Sequence, residues 1–265
     1  MSGLSLTLPS ESIQSDADDD GLAAETQLER ATERLRALVL GGTFPVDRKL
    51  AEARVAELLG ISRTPARLAM GALEQDGLLV RLPRRGFRVR SFSLDEVVEA
   101  VEIRGELEAI AARIVAERGM AQEHRGLLEA CIGRAEMLLK TAYFESEQRR
   151  QWCAMNGDFH DVLVRASGVR PLWAAYAKVN LTPLASPRDM MFNIANAELS
   201  RRQLDMTHQD HARILDMIVV HKSTRAAALV REHSYRSGEN KRRNFPDIAS
   251  RMTVIETPGV ALVRG

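Results

Sequence analysis

The chain carries six histidines: His124, His160, His208, His211, His221 and His233. His160 sits in "NGDFHDVLVRASG", four residues after Asn156 and so on the same face of a predicted helix. His211 and His233 fall on two later predicted helices, flanked by Ile214 and Leu215 and by Leu229 and Val230. Three imidazoles converging from three helices suit a divalent transition metal. Spacing alone does not require that convergence, because histidines scattered over helices are more often ordinary surface or core residues. The chain has no HExxH or comparable pairing of a base with a metal ligand, so nothing marks it for metal-assisted hydrolysis.

A second group of residues suits a different chemistry. "GISRTPARLAMGALEQDGL" places Arg63 and Arg67 four apart on one face of a helix, opposite Ala69, Met70 and Leu73. Ser62 stands at the N-cap and Pro65 in the first turn, where its missing N–H costs little. A helix N-terminus attracts phosphate, and arginine forks match phosphate oxygens or the O6/N7 edge of guanine. Thr64 can reach a phosphate or a base. Shortly after, "RLPRRGFRVR" holds five arginines and no acid. Such a segment adds salt-sensitive affinity rather than sequence selectivity.

Periodicity assigns elements to these residues. Apolar stripes ending at Gly41-Gly42 and at Gly60 mark two helices before the Arg63 helix. "LLVRLP" and "GFRVRSF" alternate around Pro83-Arg84-Arg85-Gly86 as a hairpin. Three helices and a hairpin within residues 25–92 are the order of a winged helix-turn-helix. From Ser93, with Glu96 completing a capping box, the pattern is helical nearly to the end. Further helices are predicted over 121–142, 147–167, 170–181, 196–221 and 223–243, so residues 93–245 should form an all-α bundle. The fold expected is mainly α: an N-terminal winged helix-turn-helix and a C-terminal helical effector domain. Residues 1–24, acidic and Ser-rich, read as a disordered leader, and 246–265 as an unassigned tail.

The 265 residues suffice for two domains. No apolar run approaches the roughly 18–20 residues needed to span a bilayer. The first residues lack a secretory signal, and Cys131 and Cys153 form no CxxC, so a cytoplasmic setting is expected. The formal net charge of +1 excludes nothing about partners.

Residues 50–90, especially "SRTPxR", "LEQDGL" and "PRRGFRV", resemble the winged-helix domain of GntR-family transcription regulators. The resemblance implies operator contacts from Arg63, Thr64, Arg67 and the wing tip Arg84, Arg85 and Gly86. Where many members have an arginine in the preceding helix this chain has Ala53, with Arg54 beside it as the candidate contact. "EIRGELEAIAARIVAERG", "NxxFHxxLxxASG" and "HxxILDMI…HSYR" resemble the FCD effector domain of the FadR-type branch. That likeness implies a metal held by Asn156, His160, His211 and His233, with asparagine in place of the usual aspartate. Zinc, nickel or manganese would suit such a site. It also implies an organic acid effector near the metal, with Arg104 and Asn240 as candidate contacts; a plain ion pair of Arg104 with Glu108, four residues on, is the alternative for Arg104. Within the branch, the segments around residues 88–120 and 156–168 are most similar to VanR-type regulators of vanillate and aromatic-acid catabolism.

The expectation is a homodimeric repressor of a catabolic operon that binds double-stranded operator DNA and is released by the acid. Two rivals are a metal-dependent enzyme acting on a small carboxylic acid and a sequence-independent DNA binder.

Overall fold

The computed structural model describes residues 15–83, 86–141, 145–193, 196–250 and 257–265. Helix α1 (Ser15–Leu40) buries Ala31, Leu35 and Val39 along one stripe. It begins inside the segment expected to be a leader; residues 1–14 lie outside the described residues. Strand β1 (Lys49–Leu50) is followed by α2 (Glu52–Leu59), which stops at Gly60 in the left-handed region (φ 67°). Helix α3 (Arg63–Gln75) starts after Ser62, whose backbone is extended as an N-cap requires but whose side chain makes no capping bond. Ala66, Ala69, Met70 and Leu73 form its buried face.

Strands β2 (Leu79–Arg81) and β3 (Phe87–Val89) form the expected hairpin, joined by β1 into an antiparallel sheet of order β1-β3-β2. The first strand was not expected, because two residues are too few to show alternation. Phe87 and Val89 point from the hairpin into the same core as Leu35, Val55 and Met70.

A short strand β4 (Phe92–Ser93) leads into α4 (Leu94–Arg118). The capping box forms: the Glu96 amide donates to Ser93 Oγ at 3.1 Å, and the Ser93 amide donates to Glu96 Oε2 at 2.8 Å. Helices α5 (Gln122–Leu139), α6 (Ser146–Ala166), α7 (Arg170–Val179), α8 (Ala197–Val219) and α9 (Ser223–Ser250) follow. Their bounds lie within a few residues of the predicted ones, except that α9 runs on through Pro246. Helix α4 is central, lying along α9 and also touching α6, α7 and α8. Gly105 permits the α4–α9 approach: a Cβ there would stand 2.4 Å from Ser234 Cβ. Trp152, Phe159, Leu163, Ile214 and Ile218 fill the bundle core.

The tail has structure that periodicity did not reveal. A 3-10 turn (Val260–Leu262) precedes strand β5 (Val263–Arg264), which pairs in parallel with β4. The Gly259 amide donates to Leu40 O at 2.9 Å, and Arg264 reaches Asp47 at 2.6 Å. Val260, Leu262 and Val263 are buried in the core of the N-terminal domain. No helix among the described residues is long and apolar enough to cross a membrane.

Candidate DNA-binding face and metal centre

The exposed side of α3 carries Ser62, Arg63, Thr64, Arg67 and Leu68. Among the described residues neither Arg63 nor Arg67 is drawn into an ion pair, so both guanidiniums remain available to a phosphate or a base edge. Arg54 differs: its Nη1 lies 2.9 Å from Glu57 Oε2 on the same helix. The arginine-rich hairpin also divides. Arg81 pairs with Glu74 at 2.8 Å and lies over the Phe87 ring. Arg88 pairs with Asp47 at 2.7 Å, and Arg90 pairs with Glu96 and lies over Phe92. Arg81 and Arg88 thus tie the wing to its own domain, and Arg90 ties it to the start of α4. Arg84 and Arg85 lie outside the described residues, while Gly86 has φ 100°, a conformation that favours glycine.

In the bundle, α6, α8 and α9 bring His160, His211 and His233 together. One ligand atom from each lies within 4.8 Å of the others, and the ring centroids are 5.0–5.3 Å apart. All three are buried. Asn156, one turn before His160, is buried beside them and donates through Nδ2 to Pro187 O at 2.7 Å. That bond fixes the amide, leaving Oδ1 buried and unpartnered.

Two carboxylates set the rings. Glu108 Oε2 lies 3.0 Å from His160 Nδ1, and Asp210 Oδ2 lies 3.2 Å from His233 Nδ1. A carboxylate at Nδ1 favours the tautomer that leaves Nε2 bare as a ligand. His160 Nε2 and His211 Nε2 are both buried without a partner. Burial pushes the His211 imidazole well below its ordinary pKa, reinforced by His233 and His160. Burial also lowers His160, with Glu108 pulling the other way. Neutral imidazoles with bare nitrogens are the form a metal requires. The donor set of Asn156, His160, His211 and His233 therefore fits a divalent ion. His208 stands apart, half-buried, with Nε2 3.9 Å from Glu136 on α5.

A cavity of about 330 Å³ opens against this cluster, lined by Asn156, His160 and His233. Its walls carry five cations, Arg104, Arg202, Arg236, Lys241 and Arg243, against two acids, Asp210 and Glu239; Arg104, Arg202 and Arg236 are paired with Glu108, Glu198 and Asp210. Arg104 meets both descriptions given for it from sequence. Its Nε lies 3.1 Å from Glu108 Oε1 in a fully buried pair, and it also lines the cavity. Asn240 lines the cavity with its amide committed: Nδ2 donates to Met191 O at 3.0 Å, and Oδ1 accepts from Asn244 at 2.6 Å. Glu108, Asp210 and Lys241 were not singled out from sequence. Glu108 and Asp210 could have been sought as carboxylates near the histidine helices. Lys241 carried no signal, since a lysine among "ENKRRN" reads as a solvated face.

Comparison with known proteins places both units. Residues 27–89 match the model of bacterial regulatory proteins of the gntR family, and residues 99–236 match the FCD domain. The HTH-type transcriptional regulator YdhC of Bacillus subtilis (strain 168) is 32% identical over 147 residues. That alignment covers 56% of this chain and 63% of the relative, just under two thirds of its length. A protein of Paenarthrobacter nicotinovorans named "Probable D-xylose utilization operon transcriptional repressor" is 30% identical over 205 residues, covering 77% of this chain and 83% of the relative. Among solved structures, Lar, described as controlling expression of the Listeria monocytogenes agr system, superposes with TM-score 0.58 at 15% identity. It covers 82% of this chain and 96% of that one. These relatives are regulators, and the rival reading of the chain as a metal-dependent enzyme falls with that finding. With both models matched in order, and a relative at 30% identity spanning most of both chains, this protein belongs to the GntR family of bacterial transcription regulators, in the branch that carries an FCD domain.

Proposed function

We propose that the chain is a homodimeric repressor of a catabolic operon, released from its operator by a small organic acid held at a metal in the effector domain. The observation that carries the reading is the cavity, which joins an excess of cations to buried nitrogens that lack partners. Its volume is of the order usual for small-ligand sites. A divalent ion there supplies a Lewis-acidic contact for one carboxylate. Arg104 and Lys241 supply charge for the rest of the anion. The named D-xylose operon repressor among the relatives supports the sign of regulation. The likeness to VanR-type regulators adds vanillate to the acids worth testing.

On the DNA side, Arg63, Thr64 and Arg67 read the major groove, and the wing tip at Arg84, Arg85 and Gly86 follows the flanking backbone. Two copies related by a twofold axis would read two half-sites. The setting is cytoplasmic, where the operator is. The test is binding of the purified protein to its own upstream intergenic DNA against a scrambled duplex. Selective binding, lost in Arg63→Ala, is the result expected. Equal affinity for both duplexes would mean sequence-independent binding and refute the reading.

A further inference from the structure

The segment between α7 and α8 is held by an unusual set of bonds. Every second carbonyl from residue 185 to residue 191 accepts from a side chain of the effector site. Arg104 on α4 donates to Ala185 O. Asn156 on α6 donates to Pro187 O at 2.7 Å, Lys241 on α9 to Asp189 O at 2.7 Å, and Asn240 on α9 to Met191 O at 3.0 Å. Each of these four donors lines the cavity. Two are buried cations: Arg104 is also paired with Glu108, whereas Lys241 is held by a carbonyl, which stabilises a cation less than a carboxylate does.

The other side of the same segment faces the DNA-binding domain. Leu184 and Met191 are fully buried in the cluster that contains Leu35, Val39, Phe92, Val260 and Leu262. Leu184 has φ 63°, a left-handed conformation that a leucine adopts only when its surroundings impose it. It lies against Gly259 of the tail, whose added Cβ would stand 3.6 Å from Leu184 Cδ2. One short segment is therefore held at one edge by the anion-reading residues and at the other by the core of the operator-binding unit.

We propose that residues 184–191 form a strap that competes with the acid for Arg104 and Lys241 and transmits the exchange to the DNA-binding domain through Leu184 and Met191. The inference rests on the effector reading of the cavity. Without acid, the two cations hold carbonyls 185 and 189, and the strap fixes the winged helix against the bundle. With acid bound, they turn to its carboxylate, the strap loosens, and the packing of Leu184 and Met191 changes. Asn156 keeps its bond to Pro187 O in both states, because that bond aims its Oδ1 at the metal.

The test uses the full-length, zinc-loaded protein and a panel of lactate, citrate, gluconate and vanillate, with calorimetry identifying which acid binds. Amide hydrogen exchange with that acid should rise by about tenfold across 184–191, a size usual for coupled sites. Leu184→Ala should bind the acid as wild type does, yet lose the acid's effect on operator affinity. Leu184→Met should retain it. Calorimetric binding with unchanged exchange in 184–191 overturns the strap and leaves the effector reading standing, as does a full acid response in Leu184→Ala. No binding of any acid in the panel removes the effector reading and the strap with it. Should Leu184→Ala fail to fold, the exchange measurement on the wild-type protein decides alone.

Discussion

Glu108 Oε2 lies 3.0 Å from His160 Nδ1, and its other oxygen lies 3.1 Å from Arg104 Nε, all within the bundle and away from solvent. One carboxylate thus orients an imidazole of the candidate metal centre and neutralises the buried arginine that lines the cavity. Arg104 and the adjoining His160 ring outweigh the burial of Glu108 and hold its pKa below the usual carboxylate range.

Two substitutions separate these roles. Glu108→Gln keeps the shape but weakens the hold on His160, and zinc affinity should fall by about 10–100-fold, as for other groups that orient ligands. Glu108→Ala also strands the Arg104 charge, which should cost about 3–5 kcal/mol of stability. Competition with a chelating dye and urea denaturation give the two readouts.

The α4–α9 contact yields a test of packing. Gly105→Ala would place a methyl 2.4 Å from Ser234 Cβ, next to His233. Helix α9 must shift, at an expected cost of about 1–3 kcal/mol for overpacking. Because His233 rides on that helix, zinc affinity should drop with stability, as thermal unfolding with and without zinc would register.

On the operator, Arg63 and Arg54 should behave differently. Arg63 makes no ion pair among the described residues and lies on the exposed face of α3, and Arg63→Ala should cost about 1–3 kcal/mol with relaxed selectivity at one base position. Arg54 is already paired with Glu57, so Arg54→Ala should weaken binding less and leave the preferred sequence unchanged. Fluorescence anisotropy on a set of single-base operator variants distinguishes the two.

Lys241 gives the acid response a pH dependence. Burial pushes its ammonium down to about 8, with Asp189 and Cys153 opposing the shift and Arg104 adding to it. The Cys153 thiol is itself raised to about 11 by burial. Below pH 8 Lys241 is charged and attracts the acid; above it the attraction is lost. Acid affinity should therefore fall as pH rises through about 8, and Lys241→Met should abolish that fall. Calorimetry from about pH 7 to about pH 9, one unit either side of the midpoint, provides the check.

Much of this architecture was legible in the sequence because it is local. Helical periodicity located α5 to α8 within a few residues, and the Ser93–Glu96 capping box forms as written. The three histidines were visible as residues, but spacing did not bring them together; the family resemblance did, and the fold places them side by side. What escaped depends on contacts between distant segments. Strand β5 pairs with β4 across most of the chain, and two residues show no alternation. The strap at 184–191 read only as a stretch broken by prolines, since its bonds run from side chains to carbonyls. The arginines of "RLPRRGFRVR" looked alike in sequence, yet Arg81, Arg88 and Arg90 are spent on Glu74, Asp47 and Glu96.

The most direct test of the account is operator affinity of the zinc-loaded protein, measured with and without the acid that calorimetry finds to bind, and repeated after the metal is removed with a chelator. The account predicts that the acid lowers operator affinity of the zinc-loaded protein by about tenfold, and that removing the metal abolishes the response while operator binding persists. An acid response that is unchanged without metal, or an operator affinity that no bound acid alters, would contradict it.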